Sequence, residues 1–420
     1  MEKSVLNSCQ LEALEALRNK GNVFLTGIAG SGKSFLIHHF LRGLDESECP
    51  VLASTGAAAV LVGGRTFHSF FGLGIMQGGL EATIERALSN KRVVKRLAKT
   101  KKIVIDEVSM LSGQTLRAAE TIASEARKSE LPWGGIQVIA VGDFAQLPPV
   151  TQGGARDWAF LDPSWERSQL HYSMLRTSVR TKDEKFLEIL NCVRQGRVDA
   201  EVAEYLDAHV ISPKDEAGFE GTRLFPLRET VERFNLTRLE EVKGTLYQFI
   251  TEYSGDERSV ETLRKSGPVP DVLKLKAGAW VMLRQNDPLQ RWVNGSLGQV
   301  ESVDAAKGKL RVTLVSSGYS VEVERATFNL LDAEGKEIAS ARNFPINLAY
   351  ATTIHKSQGM TLDRVLVDLR NLWEPGQAYV AMSRVKTGAG LSLSGWTRSS
   401  IRMDAAVETF YRELHSPPFL

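Results

Sequence analysis

The stretch "NVFLTGIAGSGKSFLIHHFLRGL", residues 22–44, reads as a strand, a glycine-rich loop and a helix, in that order. The loop "GIAGSGKS", residues 27–34, fits G-x-x-x-x-G-K-[ST], and it stands where that pattern needs to stand. Gly27, Gly30 and Gly32 let the backbone curl around phosphate, and Ala29 and Ser31 between them are nucleotide-binding positions of the same loop. The helix that follows adds its positive dipole end. Lys33 is placed to reach the β- and γ-phosphates, and Ser34 to hold Mg²⁺. A chance lysine in a glycine-rich turn would need neither flank.

Outward from this loop the first half alternates. "CPVLAST", "KKIVIDE" and "IQVIAVGD" are short, β-rich runs separated by long helical stretches, each ending in small or acidic residues. That is the pattern of a parallel sheet covered on both faces. Ligands on such sheets sit at the carboxyl ends of the strands. Asp106 ends one strand, where it can bind Mg²⁺ through water, and Glu107 beside it can polarise an attacking water. Together with Lys33 these imply a nucleotide hydrolase. "GDFAQLPPV" ends another strand with a lone amide, Gln146, ahead of two prolines that stiffen the turn. A neutral amide can bond a γ-phosphate or the attacking water and lose that bond after hydrolysis.

Elsewhere the text changes character. Residues 67–100 read as an insertion of loop and helix, and residues 170–210 as helical. Within 277–344 four runs alternate at period two between turns such as "VNGS" and "AKGK", which suggests a small β-barrel. "VLVDL" then resumes the buried-strand style.

At 420 residues the chain is long enough for two to four domains. A net charge of +2 does not advertise a polyanion partner, so a basic site has to be local. Residues 90–102 hold seven bases and no acid, with Lys91, Lys95 and Lys99 on one helical face. Cys9, Cys49 and Cys192 are far apart, which argues against zinc or disulfides and suits a reducing compartment. With no spanning run and no signal-peptide core, a cytoplasmic, membrane-free protein is expected, with a nuclear or organellar setting as the alternative.

The series continues with "STGAAAVLVGGRTFHSF", "LRTSVRTKDEKFLEILNCVRQG", "ATTIHKSQGMTLDRV" and "YVAMSRV". In this order the motifs resemble superfamily-one DNA helicases of the 5′-to-3′ branch, most closely the PIF family, relatives of RecD. "ARKSELPWGGIQVIAVGDFAQLPPV" is similar to that family's signature segment, with Trp133 where Phe is usual. Thr181 departs from the usual Gln after Arg180, and Met382 from a common Leu.

The resemblance runs from Gln10 to about residue 395 and implies an α/β fold. Two RecA-like P-loop motor domains are expected at 1–170 and at 171–276 with 345–420. An SH3-like β-barrel would be inserted at 277–344, and a duplex-splitting wedge would lie within 67–100. ATP with Mg²⁺ would be hydrolysed between the motor domains. The partners would be single-stranded DNA and its junctions with duplex, and the enzyme would act as a monomer. Gln10 would read adenine, Arg180 and Arg384 would reach the γ-phosphate, and Gln358 with Gly359 would touch nucleotide and DNA. Ser54, Thr55, Phe67 and His68 would lie on the strand path of the first motor, and Thr353 and His355 on that of the second. The chain ends soon after the last motif, so no long accessory extension is expected. The rival readings are a single-strand translocase that strips proteins with little unwinding, and a P-loop ATPase acting on protein.

Overall fold

The computed structural model describes residues 6–19, 21–54, 65–74, 76, 78–149, 156–287, 289, 291–292, 294–305, 308–315, 317–331 and 336–415. Two compact units emerge. The first comprises Met1–Lys182, Leu330–Glu337 and Asp404–Leu420, and the second Asp183–Asn329 and Ile338–Met403.

In the first unit the strands are β1 (Val23–Gly27), β2 (Val51–Ala53), β3 (Arg65–Thr66), β4 (Lys102–Asp106), β5 (Gln137–Val141) and β6 (His171–Leu175). Their order is β3-β2-β4-β5-β1-β6, and every pairing is parallel. β1 and β5 are buried along their whole length, as central strands covered on both faces must be. Ala53 pairs with Asp106, Leu25 with Val141, and Gly27 with Leu175. The register therefore brings the chemistry-bearing strand ends to one edge of the sheet.

β6 was not expected, because 170–210 read as helical. Its first residues are exposed and lack the apolar run that marks the other strands. Pairing with β1 holds this segment in the first unit, which continues past residue 170 to Lys182.

The first helices are α1 (Ser8–Arg18) and α2 (Lys33–Leu41). α1 is fixed at both ends. Asn7 and Gln10 form a reciprocal capping pair, at 2.9 and 3.2 Å. At the far end Gln137 of β5 donates its amide to the carbonyls of Leu17, Asn19 and Gly21, at 3.2, 2.6 and 2.8 Å. Leu14, Leu17, Leu36, Ile37 and Phe40 pack these helices onto Val23, Leu25, Val104 and Ile139 of the sheet.

Residues 67–100 form α3 (Phe67–Phe71), α4 (Gly79–Ser89) and α5 (Lys91–Lys99). α5 buries Val93 and Leu97 and leaves Lys91, Lys95 and Lys99 exposed. Arg96 turns back to the Phe70 carbonyl, with Nε at 3.0 Å. The signature segment braces this region. Trp133 is buried with a left-handed φ of 56°, donates from Nε1 to Ser168 Oγ at 2.7 Å, and lies 5.8 Å from the Phe71 ring. Arg127 joins Gly134 to the end of α5 through the carbonyls of Gly134, Leu97 and Thr100, at 2.7, 2.8 and 3.0 Å.

The helix Ala405–His415 corrects the expected assignment of 345–420 to the second motor domain. Phe410 stacks on Phe160 at 4.5 Å and meets Phe144 at 5.4 Å, completing an aromatic cluster with Phe24, Trp158 and Trp165. Packing that half-buried ring, with Val407 and Tyr411 buried on the same helix, holds the helix in the first unit.

The second unit has its own parallel sheet, in the order Ala351–Thr353, Thr222–Phe225, Val365–Asp368, Leu391–Gly395. Strands Trp280–Leu283, Leu297–Asp304, Lys309–Leu314, Ser320–Glu324 and Ile346–Leu348 form a five-stranded antiparallel sheet. The four period-two runs fall on four of these strands. Val281, Leu283, Val300, Val312 and Val323 face its core beside Phe344 and Trp292.

Candidate nucleotide and nucleic-acid site

The P-loop leaves β1 at Gly27 and enters α2 at Lys33. Gly30 and Gly32 take φ of 75° and 84°, so the chain curls as only glycine does cheaply. Lys33 Nζ donates to the Gly27 carbonyl at 2.8 Å, and Ser34 is exposed at the first turn of α2. Gln10, although buried, is not an ordinary helix residue. Its Nε2 donates to the Ser31 carbonyl at 3.1 Å, which puts it against the phosphate loop. With the capping bond counted, the amide keeps one N–H and one lone pair, the combination that an adenine edge accepts.

The segment carrying Arg180 also packs on the loop. The N–H groups of Val179 and Arg180 both point at the Gly30 carbonyl, at 2.8 and 3.2 Å. Gln10, Lys33 and Arg180 thus converge on one loop from α1, α2 and the segment after β6. Thr181, the departure noted in the sequence, is buried, and its N–H lies 3.4 Å from Ser178 Oγ.

Asp106 sits at the end of β4. Burial pushes its carboxyl above the ordinary value, against the Glu107 N–H at 3.0 Å and the charges of Lys33 and His38. Glu107 adopts a left-handed φ of 52°, strain of the kind that collects at functional sites. Gln146 is buried in the turn after β5, with its N–H on the Asp143 carbonyl at 2.9 Å. Among the described residues no cluster of three His, Cys, Asp or Glu could hold a metal. Mg²⁺ does not need one: it is held by one or two protein oxygens plus substrate phosphates. A half-buried carboxylate at the end of β4 and an exposed hydroxyl in the first turn of α2 are the kinds of donor that set calls for.

The nucleic-acid candidates divide. Ser54 is half-buried beyond β2, 3.7 Å from Met110 Sδ. Thr55 lies outside the described residues. Phe67 is a correction: its ring is wholly enclosed, 4.8 Å from Phe71, and offers no face to a base. Three phenylalanines within five residues serve the core here. His68 beside it stays partly accessible, and burial pushes its imidazole below the usual value.

In the second unit, Thr353 Oγ1 accepts the Lys356 N–H at 3.0 Å, and the Gln358 N–H donates to the His355 carbonyl at 3.2 Å. These bonds coil "TIHKSQG" into a tight turn. It ends at Gly359, whose φ is 76°. His355 is pushed down by burial, with Glu374 opposing. Arg384 is buried, and its guanidinium donates to the carbonyls of Val380 at 2.8 Å and Ser357 at 3.1 Å and to Ser383 Oγ at 2.7 Å. The last motif is thereby tied to "HKSQG". Two residues escaped sequence reasoning. Tyr411, taken up below, follows the last motif in an ordinary amphipathic helix. Arg284 is a buried guanidinium whose hydrogen bonds among the described residues reach the thioethers of Met282 and Met360.

Residues 3–204 match the family model described as PIF1-like helicase. The chain is 52% identical over 404 residues to the ATP-dependent DNA helicase Pif1 of Bdellovibrio bacteriovorus, covering 96% of this chain and 91% of that protein. Vertebrate relatives are longer, and the chain spans 65% of the zebrafish one. A crystal structure of Bacteroides Pif1 in complex with ADP-AlF4 superposes with a TM-score of 0.85 at 28% identity, covering 98% of this chain and 97% of that one. Another, with ADP-AlF3 and single-stranded DNA, gives 0.69 at 28% identity, covering 99% of each chain.

Proposed function

The chain belongs to the PIF1-like helicases and is an ATP-dependent DNA helicase, and from that premise we propose that it moves 5′-to-3′ along single-stranded DNA and opens duplex ahead of it. The observation that carries the chemical half is the convergence of Gln10, Lys33 and Arg180 on the phosphate loop, with Asp106 and Glu107 on the same sheet edge. Lys33 and the loop N–H groups bind the phosphates, and Gln10 reads adenine. Glu107 takes the proton of the attacking water, and Gln146 orients that water. Ser34 and Asp106 would hold Mg²⁺, which when bound neutralises charge on the phosphates. Arg180 and Arg384 supply fixed charge for the transition state.

The second unit's parallel sheet is read as the other motor domain, with 277–344 as an SH3-like insert and part of 67–100 as the wedge. Ser54, His68, Thr353, His355 and Gln358 are the proposed DNA contacts, through phosphate oxygens. The exposed bases of α5 add a patch of the same polarity. The single-stranded DNA in a Bacteroides relative supports this partner. Action as a monomer is part of this proposal. Among the described residues no helix is long and apolar enough to cross a membrane. The place of action is wherever the cell keeps its DNA.

The direct test is unwinding of a partial duplex bearing a 5′ or a 3′ tail. The 5′-tailed substrate should open with ATP and the 3′-tailed one should not. Efficient opening from the 3′ tail would overturn the direction and leave the helicase assignment standing.

A further inference from the structure

Tyr411 belongs to none of the motifs, yet its hydroxyl lies at the base of the nucleotide site. The oxygen is 2.9 Å from Asp143 Oδ1, 3.0 Å from the Phe144 N–H and 3.1 Å from Thr26 Oγ1. A phenol has one donor and two lone pairs. All three are used: it donates to the Asp143 carboxylate and accepts from the Phe144 amide and the Thr26 hydroxyl. Thr26 is the last residue of β1 before Gly27 opens the phosphate loop. Asp143 and Phe144 begin the turn that carries Gln146, and the Asp143 carbonyl receives the Gln146 N–H. Asp143 is wholly buried, and its Oδ1 also accepts the Ala145 N–H at 3.1 Å. The two strands are neighbours, with Gly142 N–H on the Leu25 carbonyl at 3.1 Å. The backbone ladder stops there, and the turn beyond it is tied to the β1 end through Tyr411.

We propose that Tyr411 is a positioning residue for ATP hydrolysis: its hydroxyl holds the Gln146 turn at a fixed distance from the phosphate loop. It rests on the reading of Gln146 given above. Tyr411 touches no reacting atom. It acts by keeping the amide where the attacking water or γ-phosphate stands, and by making the turn and the β1 end move as one piece. A misplacement of about 1 Å at such a group costs up to about a hundredfold in rate.

The test uses Tyr411→Phe, which keeps the ring and its packing and deletes only the hydroxyl. The expected result is an ATP KM within about twofold of wild type and a DNA-stimulated kcat lower by about tenfold. More ATP should be consumed per base pair opened. Thr26→Val should change kcat in the same direction by less. Tyr411→Phe combined with Gln146→Ala should be no slower than Gln146→Ala alone, because the tyrosine acts through the glutamine. A purely structural tyrosine would lower the melting temperature and leave kcat unchanged well below it. That outcome, or full additivity with Gln146→Ala, overturns the proposal. If Gln146→Ala itself hydrolyses ATP at the wild-type rate, the reading of the glutamine fails instead. If Tyr411→Phe does not fold, Thr26→Val decides: an unchanged kcat there sinks the proposal.

Discussion

Arg180 and Gly30 are packed so closely that a Cβ on the glycine would stand 2.6 Å from the Arg180 Cβ. The P-loop is shaped by the segment after β6 as much as by its own glycines. Gly30→Ala should abolish ATP binding and hydrolysis, since it adds this clash to a left-handed strain of about 1–2 kcal/mol. Gly43→Ala is the control, because its φ is 85° and nothing lies within 4 Å of the added Cβ. It should lose stability of the same order and keep full hydrolysis. Nucleotide titration and thermal melts on both variants check this; a Gly30→Ala enzyme that still hydrolyses ATP at the wild-type rate would show that the loop tolerates displacement of Arg180.

Asp106→Asn should remove hydrolysis and raise the thermal stability of the nucleotide-free protein at pH 7. Burial lifts the carboxyl above its ordinary 3.8, so ionising it costs the folded state more than the unfolded one. The native state binds the extra proton just above pH 3.8, so wild-type stability falls as pH rises through that window. The advantage of Asn should therefore be largest at neutral pH and shrink toward pH 4. Melts across pH 4–8 give the answer; an advantage that grows on acidification would reverse the sign.

Arg384→Ala should slow hydrolysis by about a thousandfold or more while ATP affinity changes by only a few-fold. It should also destabilise the protein by about 1–3 kcal/mol, since the Val380 and Ser357 carbonyls lose their donor. Arg384→Lys would restore charge without the fork and recover little of either. Steady-state kinetics with nucleotide binding separates the two effects. Weaker ATP binding at unchanged turnover would make Arg384 a binding residue.

Arg284→Met should stabilise the protein, with a melting temperature higher by roughly a few degrees. Burial alone pulls this guanidinium down to about 10, and its Nε has no hydrogen-bond partner among the described residues. A thioether would match the sulfurs of Met282 and Met360 already around it. A lower melting temperature would mean that the charge is balanced by a group outside the described residues.

What the sequence made legible follows from locality. The phosphate loop, the strand ends at Asp106 and Gln146, and the alternating runs of 277–344 are each specified within about ten residues. β6 was missed because an exposed edge strand writes no apolar run. Phe67 was misplaced because a buried aromatic and a stacking aromatic look the same in one dimension. Tyr411 was invisible for a different reason. Its partners lie 268 and 385 residues away, and no periodicity encodes a contact across that separation.

The two-ended fixing of α1 turns the helix into a gauge whose length is quantised. One residue inserted between Gln10 and Leu17 would rotate one end against the other by about 100° and lengthen the span by about 1.5 Å. The Gln10 amide could then face Ser31, or Leu17 and Asn19 could face Gln137, but not both. Between Gln10 and the carbonyls that Gln137 holds, the helix should tolerate exchange of side chains on the exposed face and resist changes of length, and only a whole added turn would approach the old alignment. Variation in this protein's first helix should accordingly be written in substitutions and almost never in insertions or deletions.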